Sequence, residues 1–264
     1  MEGSVLVGVV VALLVPFAGN TLGAALVFLL RRGMSERLSK ALAGFAAGVM
    51  MAASVWSLII PALEASEGLP VPGWLPAAAG FLAGMLLLLA VDHLTPHLHA
   101  GATEPEGPAS ALKKSTMMLF ALAIHNLPEG MAVGVVLAGF LAGDPMISLA
   151  SVVALSVGIA IQNVPEGAIV SLPLVSNGLS RPRAFAAGTL CGAVEPAGAM
   201  LMVAITGLAT PILPYVLAFA AGAMVYVVVE ELIPQTQQGR HTNIGTIGVA
   251  AGFVLMMVLD VALG

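Results

Sequence analysis

The sequence predicts an all-α polytopic membrane protein with eight transmembrane helices. Of its 264 residues, 59% are hydrophobic and only 9% are charged, whereas soluble domains carry about 25% charged residues. The mean hydropathy is +1.04. Apolar runs near or above the roughly 20 residues that a helix needs to cross a bilayer recur along the whole chain. The period-2 alternation of a membrane β-barrel is absent from the sequence.

The eight predicted helices leave little of the chain over, so residues 1–264 are expected to form a single transmembrane domain. Numbered 1 to 8, they are predicted at residues 4–30, 39–63, 74–94, 112–140, 146–173, 182–208, 211–233 and 242–263. Predicted helix 1 is too long for the core of a signal peptide, and its only early charge is Glu2. We therefore expect this helix to be retained.

The basic residues indicate the orientation of the chain. All nine Lys and Arg residues lie in alternate connections: Arg31, Arg32, Arg37 and Lys40 after helix 1, Lys113 and Lys114 before helix 4, Arg181 and Arg183 after helix 5, and Arg240 after helix 7. The positive-inside rule places these connections in the cytoplasm and both termini outside. No further basic patch exists, so nucleic acid is not an expected partner.

The lack of a second cysteine and of a nucleotide-binding motif narrows the range of possible functions. The single cysteine, Cys191, allows neither an internal disulfide nor a thiolate metal cluster, and we interpret it as a small buried residue. The nucleotide-binding pattern "GxxxxGK[ST]" does not occur, so ATP is not expected to drive the protein directly.

Two internal similarities indicate inverted repeats. "HNLPEG" (125–130) in helix 4 matches "QNVPEG" (162–167) in helix 5, and "FAAGVM" (45–50) in helix 2 matches "FAAGAM" (219–224) in helix 7. Each of the helix 2 and helix 7 segments is followed, about 15 residues after it begins, by an Ile-Pro pair whose prolines are Pro61 and Pro234. In the predicted topology each pair runs in opposite directions, which is typical of transporters with a substrate site near the midplane.

The helix 4 and helix 5 motifs bring polar side chains together. His125 and Glu129 are four residues apart and share one helix face, and Gln162 and Glu166 repeat this spacing. The proline in each motif removes an N–H group and frees the carbonyl four residues earlier. Freed carbonyls at membrane depth are tolerated where they are buried in protein or line a wet cavity.

Helix 6 adds Glu195, followed by Pro196. The complete candidate cluster is His125, Asn126, Glu129, Gln162, Asn163, Glu166 and Glu195. An ionisable residue within a span costs roughly 2.5 to 3.5 kcal/mol on insertion scales, so neighbouring carboxylates need protons or a cation. Imidazole with carboxylate and amide oxygens suits Zn²⁺, Fe²⁺ or Mn²⁺. Carboxylates from several helices could bridge two ions. The alternative is that these residues only hydrogen-bond across packed helices.

At these residues the chain resembles the ZIP (Zrt/Irt-like) family of divalent metal transporters, with the bacterial GufA-type branch most similar. The resemblance implies eight helices in a 3+2+3 arrangement, a bacterial cytoplasmic membrane and a two-metal site on helices 4, 5 and 6. It implies that one metal is held by His125, Glu129, Gln162, Glu166 and a methionine, Met50 or its neighbour Met51, and the second by Asn126, Asn163, Glu195 and the shared Glu129 and Glu166. It also implies that helices 1, 4, 5 and 6 move as a block against helices 2, 3, 7 and 8.

The chain departs from the family pattern at two positions. Some relatives have His at the place of Gln162 and a carboxylate at the place of Asn163. We therefore expect unequal filling of the two sites and broad selectivity that includes Cd²⁺, because a methionine sulfur is a soft ligand.

Further acidic and histidine residues lie near the predicted helix ends. Glu64 is a candidate for the outer entrance, and Asp260 is expected at the outer interface. In the loop at residues 95–111 and near it, the candidate cytoplasmic exit residues are Asp92, His93, His97, His99, Glu230 and Glu231. Histidines beside carboxylates fit metal release or sensing.

The sequence thus predicts a transporter of Zn²⁺ and related ions into the cytoplasm, with no catalytic cofactor. One rival is an intramembrane metalloenzyme, but "HExxH" is absent and no separate nucleophile is visible. Another is a receptor that binds metal without moving it. Small-residue patches such as "AAGFLAGM" fit either internal packing or a homodimer interface.

Overall fold

The eight predicted helices are present in the computed structural model, which describes residues 2–30, 34–98, 104–206 and 212–263. Within these ranges, eight helices are long and apolar enough to cross a membrane. They are α1 (Glu2–Leu29), α2 (Glu36–Glu64), α3 (Trp74–Leu94), α4 (Lys114–Leu141), α5 (Leu149–Ser176), α6 (Arg181–Thr206), α7 (Leu213–Gln237) and α8 (Ile244–Leu263). Each end lies within about one helical turn of its predicted position. The fold class is confirmed. Arg31 and Arg32, two of the basic residues from which the membrane orientation is predicted, lie outside the described residues.

Local sequence signals fix where several helices begin. Ser148 caps α5: its Oγ accepts a hydrogen bond from the Ser151 N–H, and the Ser151 Oγ accepts one from the Ser148 N–H, both at 3.0 Å. This reciprocal pair satisfies two N–H groups that a helix start otherwise leaves free. Ser35 caps α2 in the same position by accepting from the Leu38 N–H at 3.3 Å.

The prolines of the two matched motifs do not end their helices. α4 continues through Pro128 and α5 continues through Pro165. The interruption lies in α6, which consists of Arg181–Gly192 and Val194–Thr206 separated by Ala193. Pro196, in the first turn after this break, has no N–H group to donate to the carbonyl of Gly192, so one helical bond is lost there.

α2 and α7 each contain a π-helical segment directly before their Ile-Pro pair. The segments are Ser54–Ile59 and Val228–Leu232. In each, the isoleucine N–H bonds five residues back, from Ile60 to the Val55 carbonyl and from Ile233 to the Val228 carbonyl. The two helices that share the "FAAG" match therefore also share a local distortion, and such distortions are frequent at functional sites.

Glycines let four pairs of helices approach at backbone distance. The most extensive contacts join α1 to α5, α2 to α8, α3 to α7, and α4 to the second half of α6. A Cβ atom would collide with the partner's backbone at Gly19 and Gly23 of α1, Gly44 and Gly48 of α2, Gly80 and Gly84 of α3, and Gly130 and Gly134 of α4. Packing of small residues at this range is how membrane helices associate tightly.

Candidate metal site

The fold places the whole predicted cluster in the protein interior. α4 carries His125, Asn126 and Glu129, α5 carries Gln162, Asn163 and Glu166, and α6 carries Glu195. None of these seven residues is more than 8% exposed. Three carboxyl groups, one imidazole and three carboxamides are therefore withdrawn from both lipid and bulk water.

A direct hydrogen bond joins the two matched motifs. The Gln162 Nε2 donates to Glu129 Oε1 at 2.6 Å, which links α5 to α4. The same nitrogen lies 2.5 Å from Asn163 Oδ1. Asn163 in turn donates through Nδ2 to the carbonyl of Pro16 on α1 at 3.3 Å. The polar side chains that recur at a four-residue spacing in the two motifs thus meet between α4 and α5.

Carboxyl groups are concentrated around Glu166. Its carboxyl group lies within electrostatic range of Glu129, Glu195 and Glu231. Like charges repel strongly where water is excluded, because the local dielectric constant is low. An arrangement of this kind requires either protons on the carboxyl groups or a bound cation.

Several oxygens of the cluster have no hydrogen-bond partner in the part of the chain that the structure describes. They are Glu129 Oε2, Gln162 Oε1 and both carboxylate oxygens of Glu195. Buried polar atoms are rarely left unpaired. A divalent cation would satisfy such oxygens together with the His125 imidazole, and this mixed set suits the borderline transition metals.

His125 is held by a residue from outside the predicted core cluster. Its Nε2 contacts the Glu231 carboxylate, which belongs to the π-helical segment of α7. Both side chains line a pocket with an empty volume of about 240 Å³, together with Asp92, His97 and Glu230. Four of the predicted exit residues therefore share one pocket with the histidine of the cluster.

The loop after α3 forms a compact polar group beside this pocket. His97 Nε2 lies 2.9 Å from Asp92 Oδ1, and His97 Nδ1 lies 2.8 Å from the Thr95 carbonyl. Glu106 joins them because its backbone pairs with that of His97 in a single antiparallel bridge. One potential ligand atom each of Asp92, His97 and Glu106 lie within 4.8 Å of one another. Glu106 is an addition to the exit residues inferred from sequence.

Two other exit candidates do not join this group. His93 is exposed, and its Nδ1 bonds to the Leu89 carbonyl of its own helix at 3.0 Å. His99 lies outside the described residues.

The two methionine candidates also differ, since Met50 is fully buried in the core and Met51 is 36% exposed. Cys191 is only partly buried, and its thiol donates to the Leu119 carbonyl at 3.4 Å.

A second pocket lies at the opposite ends of the helices. Glu64, the candidate entrance residue, lines it together with Ser57 and Asp260, and its empty volume is about 580 Å³. Asp260, which was expected at the outer interface, is only 9% exposed and accepts a 2.7 Å hydrogen bond from the Ser57 hydroxyl. Close packing of α8 on α2 withdraws it from the surface. Sequence reasoning missed Ser57 altogether.

The fold and the cluster together define a class: a polytopic helical membrane protein with a group of carboxyl, imidazole and carboxamide side chains buried among its helices. Residues 108–260 match the sequence model of the ZIP Zinc transporter family. This match covers more than half of the chain, and the chain belongs to the ZIP family. The members of this family are transporters rather than enzymes, and the resemblance read from the two "NxPEG" motifs is confirmed.

Full-length relatives support the assignment. Zinc transporter ZIPB of Bordetella bronchiseptica is 44% identical over 253 residues, which cover 94% of this chain and 79% of the relative. Zinc transporter GufA of Myxococcus xanthus is 37% identical, with coverage of 97% and 99%. Human zinc transporter ZIP11 is 36% identical, with coverage of 92% and 93%. The similarity thus extends over all eight helices.

Proposed function

We propose that this protein carries Zn²⁺ into the cytoplasm through the buried cluster on α4, α5 and α6. The observation that carries the proposal is the set of unpartnered oxygens on Glu129, Gln162 and Glu195, buried beside His125. Helix packing alone does not require several unsatisfied acceptors at one level of the membrane. Family membership and the names of the relatives agree with zinc as the substrate.

The cluster is proposed to bind two ions. The primary ion would take His125, Glu129, Gln162 and Glu166, with Met50 as a further ligand. The second ion would take Asn126, Asn163 and Glu195 and share Glu129 and Glu166. The electrostatic coupling of Glu166 to Glu129 and Glu195 supports a bridging role.

Selectivity is proposed to be broad. Gln162 supplies an oxygen where an imidazole would favour zinc more strongly, and the buried Met50 sulfur would favour soft ions. Cd²⁺ is the expected additional substrate, with Fe²⁺ and Mn²⁺ as weaker ones.

The two pockets are proposed to be the ends of the pathway. Ions would enter beside Glu64 and leave past Asp92, His97, Glu230 and Glu231, with His93 and His99 further out in the cytoplasm. The shared pocket of His125 and the exit residues supports this direction. The membrane potential would drive inward movement, since it contributes about 2.3 kcal/mol per charge per 100 mV, and twice that for a divalent ion.

The transport motion is proposed to be an elevator-type movement of α1, α4, α5 and α6 against the other four helices. The four most extensive helix contacts all lie within one or the other of these groups. We further propose a bacterial cytoplasmic membrane, cytoplasmic basic loops and external termini. Lipid and a second copy of the chain are the expected partners in that membrane.

The test is zinc flux into liposomes that contain the purified protein and a trapped fluorescent indicator. Glu166→Ala should reduce flux to the level of empty liposomes, because both ions lose a shared ligand. Glu195→Ala should be milder, because only the second ion is affected. Asp144→Asn is a matched control, since this carboxylate only accepts a bond from the Met146 N–H in a turn.

The outcomes separate the alternatives. Full flux in Glu166→Ala would refute the proposed site. Zinc binding without flux in the unmodified protein would favour a receptor, and cleavage of a membrane substrate that is lost in His125→Ala would favour an enzyme. Flux that vanishes in Glu166→Ala and His125→Ala but persists in Asp144→Asn supports transport through the cluster.

A further inference from the structure

Asn20 of α1 is a buried polar residue that none of the proposed ligand sets uses. It is 1% exposed, and its Nδ2 donates to the carbonyl of Gly188 on α6 at 3.0 Å. Polar side chains inside membrane helices are costly, and they are kept where they join helices or serve a function. The bond between Asn20 and Gly188 joins α1 to α6.

Asn20 also fills the space between the helices that carry two of the carboxylates. At Gly167, directly after Glu166 on α5, a Cβ atom would collide with the backbone oxygen and the Oδ1 of Asn20. At Gly192, three residues before Glu195 on α6, a Cβ atom would collide with the Asn20 side-chain amide. One side chain therefore touches the backbone next to Glu166 and near Glu195.

Glu195 depends on its surroundings for its position because α6 is interrupted just before it. The second half of α6, Val194–Thr206, packs on α4, where Gly130 lies against the Glu195 backbone. The first half, Arg181–Gly192, is the part to which Asn20 donates its hydrogen bond. Neither carboxylate oxygen of Glu195 has a hydrogen-bond partner among the described residues. The backbone on each side of the break therefore sets where the Cα atom of Glu195 lies, and with it the position from which the carboxylate extends.

The α1 backbone reinforces this arrangement. Gly19 and Gly23 pack directly on the α5 backbone at Ala160 and Val164, so α1 cannot shift relative to α5 without a collision. The rigid pair of α1 and α5 thus presents Asn20 to α6 at a fixed height.

We propose that Asn20 is a positioning residue for metal transport: it fixes the first half of α6 against α5 and thereby sets the separation of Glu195 from Glu166. This inference rests on the proposed two-metal site. It assigns Asn20 no contact with the metal, and its effect passes through Glu195.

The test is a double-mutant cycle between Asn20 and Glu195. Asn20→Leu keeps the branched shape of the side chain, at a larger volume, and removes the donor, and Asn20→Ser is a smaller change in case the leucine variant does not fold. Each is measured alone and in the Glu195→Ala background, by zinc flux and by a zinc-binding isotherm. Ser156→Ala is the control, because among the described residues its buried hydroxyl bonds to the Val152 carbonyl of its own helix, α5.

The expected result is a loss of flux or of second-site zinc affinity of about tenfold or more for the Asn20 variants alone, the usual effect of losing a supporting residue. In the Glu195→Ala background the same change should cost less than about twofold, since the carboxylate that it positions is gone. Ser156→Ala should change neither quantity.

Two results would overturn the inference: equal losses in both backgrounds, or no loss in either background while Glu195→Ala itself lowers flux or binding. If Glu166→Ala and Glu195→Ala both keep full flux, the proposed metal site fails instead. The failures are therefore distinguishable, and the binding isotherm decides the cycle if Glu195→Ala leaves too little flux to measure.

Discussion

Glu231 contacts the imidazole that is expected to bind the primary ion. His125 Nε2 lies against the Glu231 carboxylate, while Glu129 and Gln162 are bonded to each other. A metal ion that takes Nε2 must displace Glu231. Because His125 belongs to α4 and Glu231 to α7, this exchange would couple metal binding to a contact between the two proposed moving groups.

Glu231→Gln should therefore strengthen zinc binding and slow transport. Without the carboxylate, zinc no longer competes with a charge-assisted contact, which is worth roughly 1.5 to 3 kcal/mol in favourable cases, so a gain in affinity of about tenfold or more is expected. Maximal flux should fall, because a receiving carboxylate on the exit side is lost. Calorimetric titration and liposome flux check these effects. Asp144→Asn, in a turn that does not line this pocket, is the control, and unchanged affinity in Glu231→Gln would contradict the competition.

The pair of Ser57 and Asp260 is the corresponding feature at the opposite end. Asp260 places a carboxylate in the pocket that Glu64 also lines. Negative groups in a concave site raise the local concentration of cations. This pocket can gather ions before they reach the cluster.

Asp260→Asn should raise the zinc concentration for half-maximal flux by about tenfold and leave the maximal rate nearly unchanged. Ser57→Ala removes the hydrogen bond but keeps the charge, so its effect should be smaller. The concentration dependence of flux in liposomes measures both. An Asp260→Asn protein with a lower maximal rate and an unchanged half-maximal concentration would place this residue in the transport step instead.

At the scale of elements, the matched π-helical segments of α2 and α7 line opposite pockets. Ser57 lies in the first segment and faces the pocket of Asp260, whereas Glu230 and Glu231 lie in the second and line the pocket of His125. Each segment ends at an Ile-Pro pair, and the proline removes the N–H group that would continue the α-helical pattern. The widened turn sets which side chains of each segment face its pocket.

Pro234→Ala should lower zinc flux. The new N–H can bond to the Glu230 carbonyl, which favours an ordinary α-helical turn and rotates Glu231 away from His125. A reduction of about tenfold is expected, with normal folding. Pro214→Ala is the control, because this proline lies in the first turn of α7, where its missing N–H is not needed. Full flux in Pro234→Ala would show that the segment does not depend on its proline.

At the scale of the whole molecule, the helices form two groups: contacts within a group bring helix backbones together, whereas contacts between the groups are made by side chains. The described transmembrane glycines that would collide with a partner helix's backbone do so within the group α1, α4, α5 and α6 or within the group α2, α3, α7 and α8. Contact between the groups uses side chains, as where Gly158 of α5 meets the Met256 side chain of α8. Interlocked backbones resist sliding, whereas side-chain contacts can repack.

A crosslink between the groups should therefore stop transport. Cysteines at Gly158 and Met256, in a Cys191→Ala background, are joined with a short bifunctional thiol reagent. Flux should fall to background after crosslinking and return when a cleavable reagent is reduced. Cysteines at Thr236 and Gly245, which contact each other within the second group, are the control. Unchanged flux in the crosslinked Gly158–Met256 pair would refute the sliding motion.

The sequence by itself determined the number of helices, their approximate ends and the members of the central cluster. The thickness of the bilayer fixes the length of an apolar run, and the four-residue spacing places His125 beside Glu129 whatever the rest of the fold. The π-helical segments were visible only as a weak match between helices 2 and 7. The continuous course of α4 and α5 through their prolines was not predictable, because neighbouring helices can satisfy the carbonyls that a proline frees.

Only the tertiary structure decided which distant residues meet. The contacts of His125 with Glu231, Ser57 with Asp260 and Asn20 with Gly188 join residues far apart in the chain. Apolar periodicity is weak in helices that are hydrophobic on all sides, so the sequence does not fix how each helix is rotated or at what depth its polar groups lie. Close glycine packing sets rotation and depth, and with them the partners of each buried charge.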